Sequence, residues 1–408
     1  MRLRFLFLYI LVSWGVLSHA MEPDSISSAQ DSIVKPWEQR AREQIDSLLY
    51  GDMFRTSQIG LLVWDLEADS ALYAWNERQT MRPASTMKLL TAITALDRLG
   101  GGHKLTTTLS MEGHLTDSIL HGYLTVKGNM DPMFDYDDLT AFVESVRQLN
   151  IDTIRGGIRE DRSMKDKDLL GEGWCWDDDN PVLSPLVYGR KDQLIERLAQ
   201  ELRAAGIAVV PADSVCVEDS SKKGKKEDKT LCKRWHTIDQ VLVRMMKESD
   251  NLYAEALFYQ LSKQGSKPAT AKQSAAIVKQ LISKAGLSPT RYRIADGSGL
   301  SLYNYVSAEL MVTLLRYAYK NDQIYSHLLP TLPVAGMDGT LKKRMQGTTA
   351  EGNVKAKTGT LSAVITLAGY ATAPNGHKLC FAIMNQGILN GNAARDFQDK
   401  VCIALCGE

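Results

Sequence analysis

Apolar and polar positions recur with helical spacing near both ends of the chain and with strand character just inside them. From Pro36 to Leu49 the apolar residues follow a helical period. Ile59-Gly60-Leu61-Leu62-Val63-Trp64 and Ala71-Leu72-Tyr73-Ala74-Trp75 then read as two strands joined by the polar turn 65–70. At the far end, 354–370 reads as a strand segment, Pro374-Asn375-Gly376 turns the chain, and 378–384 reads as a second strand before a helical pattern from Ala393 to Leu405. Helix and strands first, strands and helix last, predict an α+β fold: one antiparallel sheet assembled from both chain ends and flanked by helices.

Between these ends, Leu89, Leu90, Ile93 and Leu96 recur at the spacing of a buried helical stripe. Arg82-Pro83-Ala84 holds the chain extended just before it, so Ser85 falls in the first turn and Lys88 follows one turn later on the same face. Strand-like runs at 105–109, 121–127 and 153–159, with a helix-like run at 137–149, fill the next stretch. Helical pattern resumes at 237–246 and again at 252–261, which puts Ser249-Asp250-Asn251 at a helix junction able to point short polar side chains into a cleft. The expected organisation is a domain made of 21–100 and 234–408, interrupted by a smaller inserted domain at 101–233.

At 408 residues two packed units are the natural expectation. The 48 basic and 48 acidic residues leave no net charge, so nucleic acid is not an expected partner. Residues 1–20 differ from the rest. Arg2 and Arg4 precede an apolar run from Phe5 to Leu17, and Ser18-His19-Ala20 offers small residues for cleavage, the pattern of a secretory signal peptide. The alternative is a membrane anchor, but the run is short for a span of about 20 residues. With cleavage after Ala20 and no second hydrophobic span, the expected product is exported, periplasmic and free of any stable membrane span.

Six cysteines (175, 216, 232, 380, 402 and 406) show no Cys-x-x-Cys or Cys/His spacing, so no metal is expected. In an oxidising compartment Cys216 and Cys232 would staple the base of the loop 218–229, with its Lys-rich run 222–226. The other reading is that all six are small buried hydrophobes.

Three short strings carry the chemistry: Ser85-Thr86-Met87-Lys88, Ser249-Asp250-Asn251 and Lys357-Thr358-Gly359. Ser-x-x-Lys alone is weak, because it also occurs at Ser32/Lys35 and Ser220/Lys223, in a polar leader and a Lys-rich loop. Taken singly, Ser85 could be a helix cap and Lys357-Thr358-Gly359 an ordinary strand with a bulge glycine. Together they make a reaction centre. A serine hydroxyl needs a neighbouring base. No histidine stands in a Ser-His-Asp order, which leaves Lys88, provided that burial and a second cation, Lys357, lower its pKa. Ser249 can pass the proton towards a leaving nitrogen, and Asn251 can orient Lys88 and a substrate amide. Lys357, Thr358 and Thr360 can receive a free carboxylate, and the N–H groups of Ser85 and Thr360 can form an oxyanion hole. The scheme calls for no cofactor.

In type and order the strings match the S-x-x-K, S-D-N and K-T-G signatures of penicillin-binding proteins and class A β-lactamases. Further runs narrow the match: Ser249-Asp250-Asn251-Leu252-Tyr253-Ala254-Glu255, Asp296-Gly297-Ser298-Gly299-Leu300-Ser301, Leu332-Pro333-Val334-Ala335-Gly336-Met337-Asp338-Gly339-Thr340-Leu341 and Gly173-Trp174-Cys175-Trp176-Asp177-Asp178. With them the mature chain resembles the D-alanyl-D-alanine carboxypeptidase/endopeptidase family of class C penicillin-binding proteins, peptidase family S13. The resemblance implies a β-lactamase/transpeptidase-like domain with an insertion after the nucleophile. It implies Ser85, Lys88, Ser249, Asn251 and Lys357 as catalytic residues, with Thr358, Gly359 and Thr360 binding substrate. The implied partners are peptidoglycan peptides ending in D-Ala-D-Ala, and β-lactam antibiotics. Two departures stand out: Gly128-Asn129-Met130-Asp131-Pro132 replaces the frequent Gly-x-Gly-Asp-Pro, and the insertion is shorter than in the larger members. Two other readings stay open, a serine β-lactamase of the same fold and a non-catalytic peptidoglycan-binding protein. The first lacks the Glu-x-x-Leu-Asn string of class A enzymes.

Overall fold

The computed structural model describes residues 35–211, 227–265 and 267–407. The expected signal peptide, Cys216 and the lysine run 222–226 lie outside these residues. In chain order the first elements are α1 (Trp37–Leu49), β1 (Gln58–Asp65), β2 (Ser70–Trp75) and α2 (Met87–Leu99). Then come β3 (Lys104–Thr116), β4 (Ile119–Lys127), α3 (Tyr136–Arg147), β5 (Thr153–Gly156), β6 (Ile158–Asp161), α4 (Leu194–Ala204), β7 (Ala208–Pro211) and β8 (Glu227–Thr237). Five helices follow: α5 (Ile238–Lys247), α6 (Asn251–Ser262), α7 (Ala271–Lys284), α8 (Ala308–Tyr319) and α9 (Asp322–Leu328). The described chain ends with β9 (Lys355–Leu361), β10 (Val364–Thr372), β11 (Lys378–Gln386) and α10 (Gly391–Leu405).

Both chain ends build one five-stranded antiparallel sheet in the order β2-β1-β11-β10-β9, as the pattern predicts. Its middle strands are buried on both faces: every residue of β10 from Val364 to Ala371 is buried, so it reads as a continuous apolar run rather than an alternating one. That is why 354–370 looked like one strand. It is two, β9 and β10, joined at Ser362-Ala363, where Ala363 takes a φ of +59°. β9 is the last strand in the order, and among the described residues its outer edge carries only the isolated bridge of Lys355 to Val334, with Ala356 N donating to the Pro333 carbonyl at 3.0 Å.

A second sheet of six strands is formed by residues 104–237, in the order β7-β5-β4-β3-β8 with β6 also on β4. β3 pairs antiparallel with β4 and β8, whereas β5 and β6 run parallel to β4. The single run expected at 153–159 is two strands, because Gly156 and Gly157 turn the chain at φ +137° and +83°. This sheet has its own apolar core with α3 and α4, centred on Leu124, Phe142, Ile154 and Leu198.

One further difference concerns the region of Ser85. Pro83 is in the right-handed helical region, not extended, and Ala84 turns with φ +48°. Ser85 therefore sits in a short 3-10 turn, 84–86, that leads into α2 rather than in the first α turn. Nor does α2 bury only a stripe. Every residue from Met87 to Leu96 is buried, including Lys88, because other helices surround it.

Candidate active site

Lys88 is the centre of one group. Its Nζ donates to Ser85 Oγ at 3.0 Å, to Asn251 Oδ1 at 2.7 Å and to the Ser298 carbonyl at 2.8 Å. Three N–H bonds thus have three acceptors, the arrangement of an ammonium. The side chain has no solvent exposure, and burial pushes its pKa down to about 8, against the nearby carboxylates of Asp296, Glu255 and Asp250, which resist the fall.

Lys357, on β9, is the centre of a second group. It is equally buried, and its Nζ donates to Ser249 Oγ at 2.8 Å and to the Thr358 carbonyl at 2.7 Å. Burial, and then the charge of Lys88, push its pKa well below the ordinary lysine range. Ser249 itself lies between α5 and α6 with φ +61°, a conformation costly for a residue with a Cβ. The two groups meet because Ser249 and Asn251 flank one residue, Asp250, whose carboxylate accepts from Leu252 N at 3.0 Å and caps α6.

Backbone contacts fix β9 against the Ser85 turn. A Cβ added to Gly359 would stand 2.1 Å from Thr366 Oγ1, 2.9 Å from the Pro83 carbonyl and 3.0 Å from Ser85 N, so only glycine lets the strand come this close. Thr366 Oγ1, one strand further in, donates to that same Pro83 carbonyl at 2.7 Å. Thr358 Oγ1 bonds Thr340 Oγ1 at 2.7 Å, and Thr360 is exposed on the strand, opposite Ile365 of β10. Ser85, Lys88 and Asn251 are therefore brought into one bonded set, and Ser249 with Lys357 into another. Gly359 lies against the first, and Thr358 and Thr360 line β9 beside them.

The floor of the site was not read from the sequence as a site. Ser298, whose carbonyl holds Lys88, belongs to a buried loop in which Asp296 accepts from Gly299 N, Ser301 N, Asn304 Nδ2 and Trp174 Nε1, all at 2.6–2.8 Å. Glu255 of α6 accepts from Gly297 N at 3.1 Å and Ser298 N at 2.8 Å. Burial, then Asp296, raise its carboxyl to about 8. The visible signal was the paired glycines of Asp296-Gly297-Ser298-Gly299, which mark close backbone approach: a Cβ on Gly299 would meet the Ala84 carbonyl at 1.9 Å. Thr340 and the arginines that face Asp250 were likewise not singled out.

Among the described residues one trio has metal-ligand spacing, Asp65, Glu67 and His377. It lies at the end of β1 and β11 away from the Gln386 side chain that meets Arg82, and its His377 Nδ1 pairs with Asp65 Oδ2 at 2.8 Å. Its side chains hydrogen-bond to Ala68, Tyr319, Lys378 and one another, and to none of Ser85, Lys88, Ser249, Asn251 or Lys357. Of the cysteines, 380, 402 and 406 are buried and 175 is exposed. The proposed partner of Cys232, Cys216, is outside the described residues.

A family model, D-Ala-D-Ala carboxypeptidase 3 (S13), matches residues 41–189 and 187–405. A D-alanyl-D-alanine carboxypeptidase of Actinomadura sp. (strain R39) is 27% identical, with 89% of this chain and 84% of that protein covered. The D-alanyl-D-alanine carboxypeptidase DacB of Haemophilus influenzae is 26% identical over 84% of this chain and 88% of its own length. The crystal structure of penicillin binding protein 4 from Haemophilus influenzae superposes with a TM-score of 0.76 at 22% identity, covering 88% of this chain and 97% of that one, a likeness of fold. The chain belongs to the D-Ala-D-Ala carboxypeptidase 3 (S13) family, and it is a serine-type peptidase of that family.

Proposed function

We propose that this S13-family enzyme hydrolyses peptidoglycan peptides ending in D-Ala-D-Ala, and the D-Ala crosslinks of the wall, through an acyl-enzyme on Ser85, and that β-lactams acylate the same oxygen. The observation that carries this reading is the completely buried Lys88 ammonium, 3.0 Å from Ser85 Oγ and within electrostatic reach of a second buried lysine.

The substrate lies along the outer edge of β9 beyond the Lys355–Val334 bridge as an added strand, with its terminal carboxylate at Thr358, Thr360 and Lys357. Lys88 and Lys357 do not hold two full charges comfortably in one dry cleft. A carboxylate arriving beside Lys357 stabilises the charge there, which favours the neutral form of Lys88. Neutral Lys88 Nζ takes the proton of Ser85, and Oγ attacks the carbonyl carbon of the penultimate D-Ala. The developing oxyanion is received by the N–H groups of Ser85 and Thr360, each worth about 3 to 4 kcal/mol in such a role. Ser249 passes to the leaving nitrogen the proton that Lys88 took from Ser85, the C–N bond breaks, and D-alanine departs with Lys88 neutral again. Water then hydrolyses the ester, giving its proton to the same base, and Ser85 is restored. Asn251 keeps Lys88 aimed at Ser85 and holds the substrate amide. We assign residues 101–233 the role of an inserted domain, and the chain an exported, periplasmic life. Among the described residues, no helix is long and apolar enough to cross a membrane.

The test is mass spectrometry of the chain after labelled penicillin, together with D-alanine release from a D-Ala-D-Ala peptide and analysis of digested cell wall. The adduct is expected on the tryptic peptide of Ser85, with Ser85→Ala abolishing both label and release. Rapid turnover of penicillin would favour a β-lactamase, and no attachment at all would favour a binding protein.

A further inference from the structure

Tyr188-Gly189-Arg190-Lys191 forms a closed two-residue turn in the segment that precedes α4. Tyr188 N donates to the Lys191 carbonyl at 2.9 Å, and Lys191 N returns a bond to the Tyr188 carbonyl at 3.1 Å. Both central residues are left-handed, Gly189 at φ +56° and Arg190 at φ +68°. This is the type I′ pattern, whose second central position is ordinarily glycine. Here an arginine occupies it, in a conformation that residues with a Cβ seldom adopt.

What the arginine reaches is the middle of the catalytic turn. Its guanidinium bonds Asp250 Oδ2, and Arg244 Nε of α5 bonds the same oxygen at 3.1 Å. The Asp250 side chain is 6% exposed, whereas Arg190 and Arg244 are 49% and 45% exposed. Asp250 separates the two residues that the lysines hold: Ser249 on Lys357 and Asn251 on Lys88. Ser249 is itself left-handed, at φ +61°. The turn is thus gripped by the lysines on its two outer residues and by the arginines on its middle one. The arginines and the turn share a cavity of about 640 Å³ beside the site.

Stability alone does not account for this arrangement. Without Arg190 the buried Asp250 carboxylate still has Arg244 Nε and Leu252 N as partners, the Arg190 guanidinium is itself half-exposed, and the Arg190 backbone is strained. We infer that Arg190 is a positioning residue: acting through Asp250, the tip of the 188–191 turn holds Ser249 and Asn251 in the geometry that acylation requires. It never touches the reacting atoms. Through it, a segment outside the main sheet and its helices sets the rate at Ser85.

This inference rests on the reading of Ser85 as the acylated nucleophile, so the full mature chain is first labelled with a fluorescent penicillin. Failure of the wild-type enzyme to label at Ser85 removes that reading, and this inference with it. With labelling established, Arg190→Gly relieves the strained φ while deleting the clamp. The expected outcome is a melting temperature equal to or above wild type, with the acylation rate and kcat on a D-Ala-D-Ala peptide falling about ten- to thirtyfold and KM changing less than about threefold. Arg190→Lys should recover part of the rate, because it restores a cation but not the planar fork. Lys191→Gln, which removes a charge from the same turn, should leave the rate unchanged, separating position from net charge. Wild-type acylation by Arg190→Gly, a fall in melting temperature that parallels the fall in rate, or an equal loss in Lys191→Gln would overturn the inference.

Discussion

Two walls of one cleft each bury a lysine completely, and they treat it differently. On the α2 wall Lys88 has three acceptors for its protons and the carboxylates of Asp296, Glu255 and Asp250 within electrostatic reach, so its pKa falls only to about 8. On the β9 wall Lys357 has a serine hydroxyl, one backbone carbonyl and another lysine, and among the described residues no carboxylate opposes its desolvation. Equal burial of the same residue type therefore produces two electrostatic states, because what surrounds a buried charge matters as much as its depth. In the proposed reaction this contrast places the proton on Lys88 until a substrate carboxylate arrives at Lys357.

The harshest test of this contrast exchanges the lysines for arginine one at a time. Lys88→Arg cannot deprotonate at working pH. Its acylation rate should fall by more than about a thousandfold, the range lost with a general base. Lys357→Arg keeps a cation for the carboxylate and should retain activity within roughly a hundredfold of wild type. Labelled-penicillin kinetics measure both, and equal retention would end the division of roles.

A gentler probe acts on the substrate. Amidating the terminal carboxylate of a D-Ala-D-Ala peptide should lower kcat/KM by about tenfold to a hundredfold, and Thr360→Val acting on the free acid should show a comparable loss. The two changes should not add, since they remove the same contact. Hydrolysis of the amide at the rate of the acid would mean that β9 does not receive a carboxylate.

The pH profile sharpens the α2 side. Because Lys88 must be neutral to act, kcat/KM should rise as pH climbs towards about 8 and level off above it. A flat profile from pH 6 to 9 would show that Lys88 is not the group being titrated.

The smallest effect is on stability. Glu255, raised to about 8 from an ordinary 4.5, binds a proton more tightly folded than unfolded. Its contribution is complete below about pH 4.5 and is lost as pH rises through about 8. Glu255→Gln stays neutral, so its melting temperature should gain on wild type by about 1 to 3 °C between pH 5 and pH 9. Parallel melting curves across that range would show that the carboxyl ionises normally.

Local chemistry was legible in the chain, and its long-range completion was not. The Ser85–Lys88 pair is visible because three residues along a helical turn bring side chains together whatever the rest of the fold does. The sheet from both chain ends was visible because strand and helix periods are local, yet β9 and β10 merged into one run because a strand buried on both faces loses its alternation. The helices α7, α8 and α9 and the strand β8 were not read at all. Glu255 and Asp296 stayed hidden as site residues for a different reason. Their effect on Lys88 comes from burial and from a backbone carbonyl at Ser298, and a carboxylate on an apolar helix carries no mark of its neighbours.

By itself, then, the sequence determined the Ser85–Lys88 pair, the two remote strings, and a sheet closed by both ends. These depend on interactions within a turn or on hydrophobic period, which are properties of neighbouring residues. Tertiary structure alone decided that Lys88 and Lys357 are both dry, that Gly359 stands where a Cβ would meet Ser85 N at 3.0 Å, and that Arg190 reaches Asp250. Those features arise where segments distant in sequence exclude water together, and the free energy of a buried charge is set by all the groups that close around it.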